Sequence, residues 1–156
     1  MNLTTVHRQD PPPVASGTDG EPGLARGAVA IITNAQSHLL LHLRDDLPGV
    51  VWPGHWSLLG GGCDPGEPPT AAIVRELQEE AGLTVDELTE LFTVRDEHGS
   101  GQLITFFAGR WQGDESQLRL SEGVRLEFIA PARLPDLTIP PYIRAAIYRH
   151  LGTRPA

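Results

Sequence analysis

The chain has 156 residues, 40% hydrophobic and 21% charged, the balance of a globular protein with enough apolar mass for one core. No apolar run reaches the roughly 18 residues of a membrane span, so an integral membrane helix is excluded. A formal net charge of -8, with Arg as all twelve basic residues, argues against sequence-independent binding of nucleic acid through a cationic surface.

The N-terminus lacks the basic and apolar regions of a secretory signal, and the expected compartment is the cytoplasm. Residues 1–23 carry Pro11, Pro12, Pro13, Pro22, Gly17, Gly20 and Gly23 with few large apolar groups, which predicts a flexible tail before a single domain over 24–153. Apolar runs at 27–32 and 38–43 flank a polar turn, the grammar of a hairpin. Residues 44–55 read as a loop that leads through Trp56-Ser57-Leu58-Leu59 into Gly60, Gly61 and Gly62, where the backbone must bend or approach something closely. The single cysteine, Cys63, excludes an internal disulfide and a cysteine zinc site. Helical spacing predicts a helix over 68–81, with proline in its first turn and Gly82 just past its end. Strands are expected at 88–94, 102–111 and 126–129, with a turn over 96–101. Pro140-Pro141 opens a last helix with Ile143, Ala146, Ile147 and Leu151 as its apolar stripe. Strands on both sides of a central helix give an α/β fold, a mixed sheet covered by helices.

At about 100° per residue, Glu76, Glu79 and Glu80 fall within an arc of roughly 100°, with Val74, Leu77 and Ala81 on the opposing side. Like charges at these spacings repel, so the arrangement calls for a compensating partner. Mg²⁺ takes oxygen ligands from one or two carboxylates plus water and substrate phosphates, which matches what this face offers. The glycine run upstream can add a main-chain carbonyl.

Gly61, Glu67, Arg75-Glu76-Leu77, Glu79-Glu80 and Gly82-Leu83 together spell G-x5-E-x7-R-E-U-x-E-E-x-G-U, with U an aliphatic residue. This pattern resembles the Nudix box, and with the W-x-x-x-G-G lead-in from Trp56 to Gly61 the chain resembles the Nudix hydrolases, whose fold is MutT-like. The resemblance implies an α/β/α sandwich in which the box forms a loop–helix–loop. It also implies a hydrolase that cleaves a pyrophosphate bond in a nucleoside diphosphate linked to another group, such as a nucleotide sugar or a (d)NTP. Mg²⁺ is the implied cofactor, with Mn²⁺ a substitute, and the implied partner is a small nucleotide rather than nucleic acid or a membrane. By motif position Glu76, Glu79 and Glu80 look like metal ligands and catalytic groups, and the Gly60 carbonyl a further ligand. Gly61, Glu67, Arg75 and Gly82 match positions that shape the box, with Glu67 and Arg75 pairing across it. Family members often add a carboxylate from a later loop; Glu122 is the candidate for ligand or general base, with Glu97 and Glu127 as alternatives. Trp52, Trp56 and Arg44, in or beside the 44–55 loop, are candidates for substrate contact, while Phe106 and Trp111 read first as core. His98 reads as a solvated turn residue, and His38 and His42 as strand residues rather than zinc ligands.

Two branch marks about sixteen residues past the box, a Pro or a Tyr, are absent, since Gly99 and Ser100 stand there, and 138–141 supplies no Asn to read a base. The sequence therefore leaves the substrate open, and with it whether the chain works alone or as a homodimer. The competing reading is a nucleotide-binding module that keeps the fold without cutting; a complete glutamate set argues against it. An isomerase on the same fold would need a catalytic cysteine, and Cys63 lies within the glycine-rich stretch.

Overall fold

A computed structural model describes residues 4–8, 25–121 and 123–152. Among these residues the strands are β1 (Thr5–Arg8), β2 (Arg26–Thr33), β3 (Leu39–Leu43), β4 (Trp56–Ser57), β5 (Leu59–Gly62), β6 (Glu87–Arg95), β7 (Leu103–Arg110) and β8 (Arg125–Ile129); the α-helices are α1 (Pro69–Ala81) and α2 (Pro141–Leu151). The sheet runs β1-β6-β7-β2-β3-β4, with β5 also paired to β2 and β8 to β3.

Strand β2 is the axis of the domain. It runs parallel to β7 from Arg26↔Leu103 to Thr33↔Arg110 and antiparallel to β5 from Gly27↔Gly62 to Ala30↔Leu59. Its run Ala28–Ile32 is buried because both faces are covered. Ala28, Ala30 and Ile32 meet Ile73 and Leu77 of α1, while Val29 and Ile31 meet Ile143 and Ile147 of α2. The result is the expected helix–sheet–helix sandwich.

Both helices open on proline, which has no N–H to lose in a first turn, and both end at a glycine in the left-handed region, Gly82 at φ 63° and Gly152 at φ 71°. The buried face of α1 is Ala72, Ile73, Leu77, Glu80 and Ala81. Ile73 and Leu77 stabilise it by roughly 1.5–3 kcal/mol each through burial. Val74, assigned to the apolar stripe by spacing, is only half-buried.

One element corrects the sequence reading. Residues 5–8, assigned to a flexible tail, form β1 in parallel register with β6, from Thr5↔Glu87 to Arg8↔Glu90, and Val6 packs against the α1-side core. A partner strand some 80 residues away fixes it, which local composition does not reveal. The rest of the expected tail lies outside the described residues. Two 3₁₀ segments, Glu115–Gln117 and Pro131–Asp136, also had no expectation.

Candidate active site

The glutamates of α1 do not share one environment, which corrects the single-face expectation. Glu76 and Glu80 project from the sheet-facing side of α1 over β5, with the Glu76 side chain 14% exposed and Glu80 8%. Glu79 points outward, 60% exposed. Two carboxylates fit against a sheet because β5 presents glycines there. A Cβ on Gly61 would stand 2.7 Å from Cδ of Glu76 and 2.8 Å from both its oxygens. At Gly60, φ is 149° and a Cβ would collide with the Ala28 carbonyl of β2 at 2.0 Å, so no other residue fits this backbone. The Gly60 N–H donates to Oε2 of Glu80 at 3.2 Å, which satisfies a carboxylate otherwise costly to bury.

Arg75 organises the remaining acids. Its Nη2 donates to Oε1 of Glu67 at 2.7 Å and to the Gly62 carbonyl at 3.0 Å, and its Nη1 to Oε1 of Glu76 at 2.9 Å and Oε2 of Glu79 at 3.0 Å. Asp64 lies 3.5 Å from its Nε. The planar fork thus ties helix to glycine strand, a geometry lysine cannot reproduce. Glu67 also accepts the Asp64 N–H at 3.0 Å, and Arg75, with that N–H second, holds its carboxyl down at about 2.

The far end of α1 is stitched to the chain that leads into β8. The Glu79 and Glu80 carbonyls, left without partners by the helix end, accept the Ser121 hydroxyl at 2.7 and 3.0 Å, and the Ala81 carbonyl accepts the Arg119 N–H at 3.0 Å. Three residues past Ser121, the Val124 N–H donates to the Leu43 carbonyl of β3 at 2.8 Å, and a Cβ on Gly123 would strike that same carbonyl at 2.5 Å. Glu122 itself lies outside the described residues.

The remaining expectations separate. Trp52 adopts φ 52°, rare for an aromatic residue and of the order of 1–3 kcal/mol in strain, and donates Nε1–H to both oxygens of Asp96 at 3.0 and 3.2 Å. It lines a cavity of about 460 Å³ with Tyr142, Pro141, Val94 and His98. Trp56 is elsewhere: it packs at the margin of the α2-side core. The Nε of Arg44 is bonded to the Val51 carbonyl of its own loop. Glu127 is committed to Arg125 at 3.3 Å and Arg133 at 3.2 Å, and Glu97 is an exposed residue at the cavity wall. Phe106 is buried in the core and Trp111 stacks on Phe128 at 6.1 Å.

Sequence reasoning missed Asp96 and His42. Asp96, within an expected turn, is 2% exposed. His42 is 5% exposed on β3, its Nδ1 has no hydrogen-bond partner among the described residues, and burial, reinforced by Arg44, pushes its pKa down to about 4. The alternation of β3 signals the histidine, since Leu40 beside it on the same face is core.

The donor chemistry fits a hard divalent cation: carboxylates of Glu76, Glu79 and Glu80, the Gly60 carbonyl, and at Gly61 a space that any side chain would fill with carbon against Glu76. Among the described residues, however, no three His, Cys, Asp or Glu side chains converge closely enough to hold a metal ion. Arg75 draws Glu76 and Glu79 to itself while Glu80 turns to Gly60.

Comparison with known proteins agrees with this architecture. The chain is 35% identical over 123 residues to an RNA pyrophosphohydrolase of Gluconacetobacter diazotrophicus, covering 67% of this chain and 73% of that one. Over 61 residues it is 43% identical to the nucleoside triphosphatase NudI of Escherichia coli, covering 38% and 42%. The crystal structure of a MutT protein from Methanosarcina mazei superposes with a TM-score of 0.65 at 20% identity, over 86% of this chain and 96% of that one, a likeness of fold. Among the described residues no helix is long and apolar enough to cross a membrane. The NUDIX domain model matches residues 23–150, and the chain belongs to the Nudix hydrolase family.

Proposed function

We propose that the protein is a Mg²⁺-dependent hydrolase that cleaves a pyrophosphate bond in a nucleoside diphosphate derivative, a nucleotide sugar or (d)NTP, with Mn²⁺ able to replace Mg²⁺. The observation that carries this reading is the pair of shielded carboxylates, Glu76 and Glu80, set against the glycines of β5, with the Gly60 N–H bonded to Glu80. The similar proteins named as an RNA pyrophosphohydrolase and a nucleoside triphosphatase support phosphoanhydride chemistry.

Glu76, Glu80 and the Gly60 carbonyl, with Glu79 directly or through water, are the residues that would hold a divalent cation, which would supply charge neutralisation and Lewis acidity to the phosphoryl oxygens. The residues of the chain do the rest. Glu80, fixed by the Gly60 N–H, keeps its charge aimed into the glycine loop. Arg75 aligns Glu76 and Glu79 through its Nη1, while its bonds to Glu67 and Gly62 keep loop and helix together. Glu122 is the proposed base that takes the proton of the attacking water at its carboxylate, and the anchoring of Ser121 on α1 supports that assignment.

The test is Glu80→Gln. The amide keeps the shape and an acceptor for the Gly60 N–H but loses the charge, so Mg²⁺-dependent release of nucleoside monophosphate falls by at least about 10²-fold while the unfolding temperature is unchanged or higher. Turnover at the wild-type rate in that variant refutes the metal centre. Tight nucleotide binding by the wild type without any product would favour the binding-module reading.

A further inference from the structure

The pair Trp52 and Asp96 is more elaborate than loop closure requires. Trp52 has the left-handed backbone of φ 52°, which among the described non-glycine residues only Ser37 shares. Such a conformation persists only where its surroundings over-determine it, and it marks sites with a use for the strain. Here the surroundings are specific. The indole N–H is held by a carboxylate that is 2% exposed, and Oδ2 of that carboxylate also accepts the Ser100 N–H at 2.9 Å and the Ser100 hydroxyl at 3.1 Å. Gly99 has to be glycine, because a Cβ there would come within 2.3 Å of Trp52 Nε1 and 2.4 Å of Asp96 Oδ2. Two loops 44 residues apart in sequence are thereby locked through one ring.

The bond to Asp96 runs in the plane of the indole, so it fixes the ring without covering its faces. The ring lies edge-on to His55 at 5.3 Å and tilted by 37° to Tyr142 at 6.4 Å, and it walls a cavity of about 460 Å³, a size suited to a small ligand. That cavity lies on the α2 side of the sheet, at the end where Arg95 of β6 pairs with Leu103 of β7 and where β2 pairs with Gly62 of β5. The loop that carries Asp96 continues into Gln102, whose carbonyl accepts the Asp96 N–H at 2.9 Å and whose side chain lies against Gly27 and Gly62, next to Gly61 and Glu76.

We propose that Trp52 is the platform on which the base of a nucleotide substrate stacks, and that Asp96 is a positioning residue that fixes the ring without touching the substrate. The inference rests on the nucleotide reading above and deepens it: the discriminating part of the substrate is an aromatic base, not a sugar or a bare phosphate chain.

The test compares wild type, Trp52→Ala, Trp52→Phe and Asp96→Asn, each checked for folding by thermal unfolding. For each, KM for a purine nucleoside triphosphate is measured beside the inhibition constant of base-free tripolyphosphate. Trp52→Ala raises the ratio of the two roughly tenfold or more, because stacking is lost while the phosphate contacts are common to both ligands. Trp52→Phe restores most of the ratio, and Asp96→Asn falls between, with the rise in KM exceeding the fall in kcat. A ratio unchanged in Trp52→Ala overturns the inference while leaving the hydrolase reading intact. Should wild type turn over no nucleotide, the hydrolase reading fails instead, and equilibrium binding of nucleoside monophosphates to wild type and Trp52→Ala decides the platform: equal affinity refutes it, and a tenfold difference supports it.

Discussion

Replacing Gly61 by alanine separates the geometry of the site from the stability of the fold. The new Cβ would meet Cδ of Glu76 at 2.7 Å where ordinary contact begins at 3.4 Å, so the carboxylate must retreat by about 0.7 Å. The obstructing atoms are the end of a flexible side chain, and Gly61 has no positive φ to strain, so the fold loses less than about 1 kcal/mol. Catalysis is less forgiving, since misplacement of a reacting group by about 1 Å costs on the order of 10²-fold in rate. The expected outcome is an unfolding temperature within a few degrees of wild type and a kcat/KM with Mg²⁺ and nucleotide substrate reduced by about 10²-fold. Gly60→Ala is the contrast: its Cβ meets backbone at 2.0 Å and 2.6 Å, neither atom can move alone, and the loss appears first as instability, of the order of 1–3 kcal/mol or more. Wild-type kcat/KM in a folded Gly61→Ala protein would refute the idea that the position of the Glu76 carboxylate against β5 controls the chemistry.

Two pH effects follow from the buried and paired groups. His42 has a folded pKa of about 4 against 6.5 for the free side chain, so the unfolded chain binds a proton first, and stability falls from about pH 6.5 down to about pH 4. Between pH 7 and pH 5 the loss is about 2 kcal/mol relative to His42→Leu, which urea unfolding of the two proteins at both pH values measures; parallel pH profiles would refute it. Glu67 works in the opposite sense of proton affinity: its folded pKa of about 2 lies below the ordinary 4.5, so its pairing with Arg75 contributes fully above pH 4.5 and is lost as pH falls toward 2. Urea midpoints of wild type and Glu67→Gln therefore differ at neutral pH, with wild type higher, and converge in that acid window.

The parts of the fold that were legible in the sequence are those whose signal is local. The helix from Pro69 to Ala81 is written in its own spacing and its own terminal residues, and β2, β3, β6, β7 and β8 stay within a residue or two of the apolar runs, whereas β4 and the glycine strand β5 had no strand signal of their own. Strand β1 was not legible, because Thr5–Arg8 has little apolar character of its own and takes its order from β6. Asp96 is the same case at the scale of one side chain. It sits in Asp96-Glu97-His98-Gly99-Ser100-Gly101, a composition that reads as an exposed turn, and the indole that helps to bury it comes from another loop.

The box glutamates show how far spacing reaches. A helical wheel places Glu76, Glu79 and Glu80 side by side but carries no information about where the sheet lies, and the sheet divides them into two shielded carboxylates and one exposed. What makes the division affordable is a second sequence feature, the glycines of β5, which vacate the space that the inward carboxylates occupy. Asp64, Glu67, Glu76 and Glu79 all lie within 3.5 Å of the Arg75 guanidinium, and one positive charge cannot balance four negative ones with Glu80 close by. An arginine can hold such a cluster in register, but the surplus negative charge favours any small divalent cation that reaches it. The repulsion that the arrangement imposes on the helix is thus what a divalent cation would relieve.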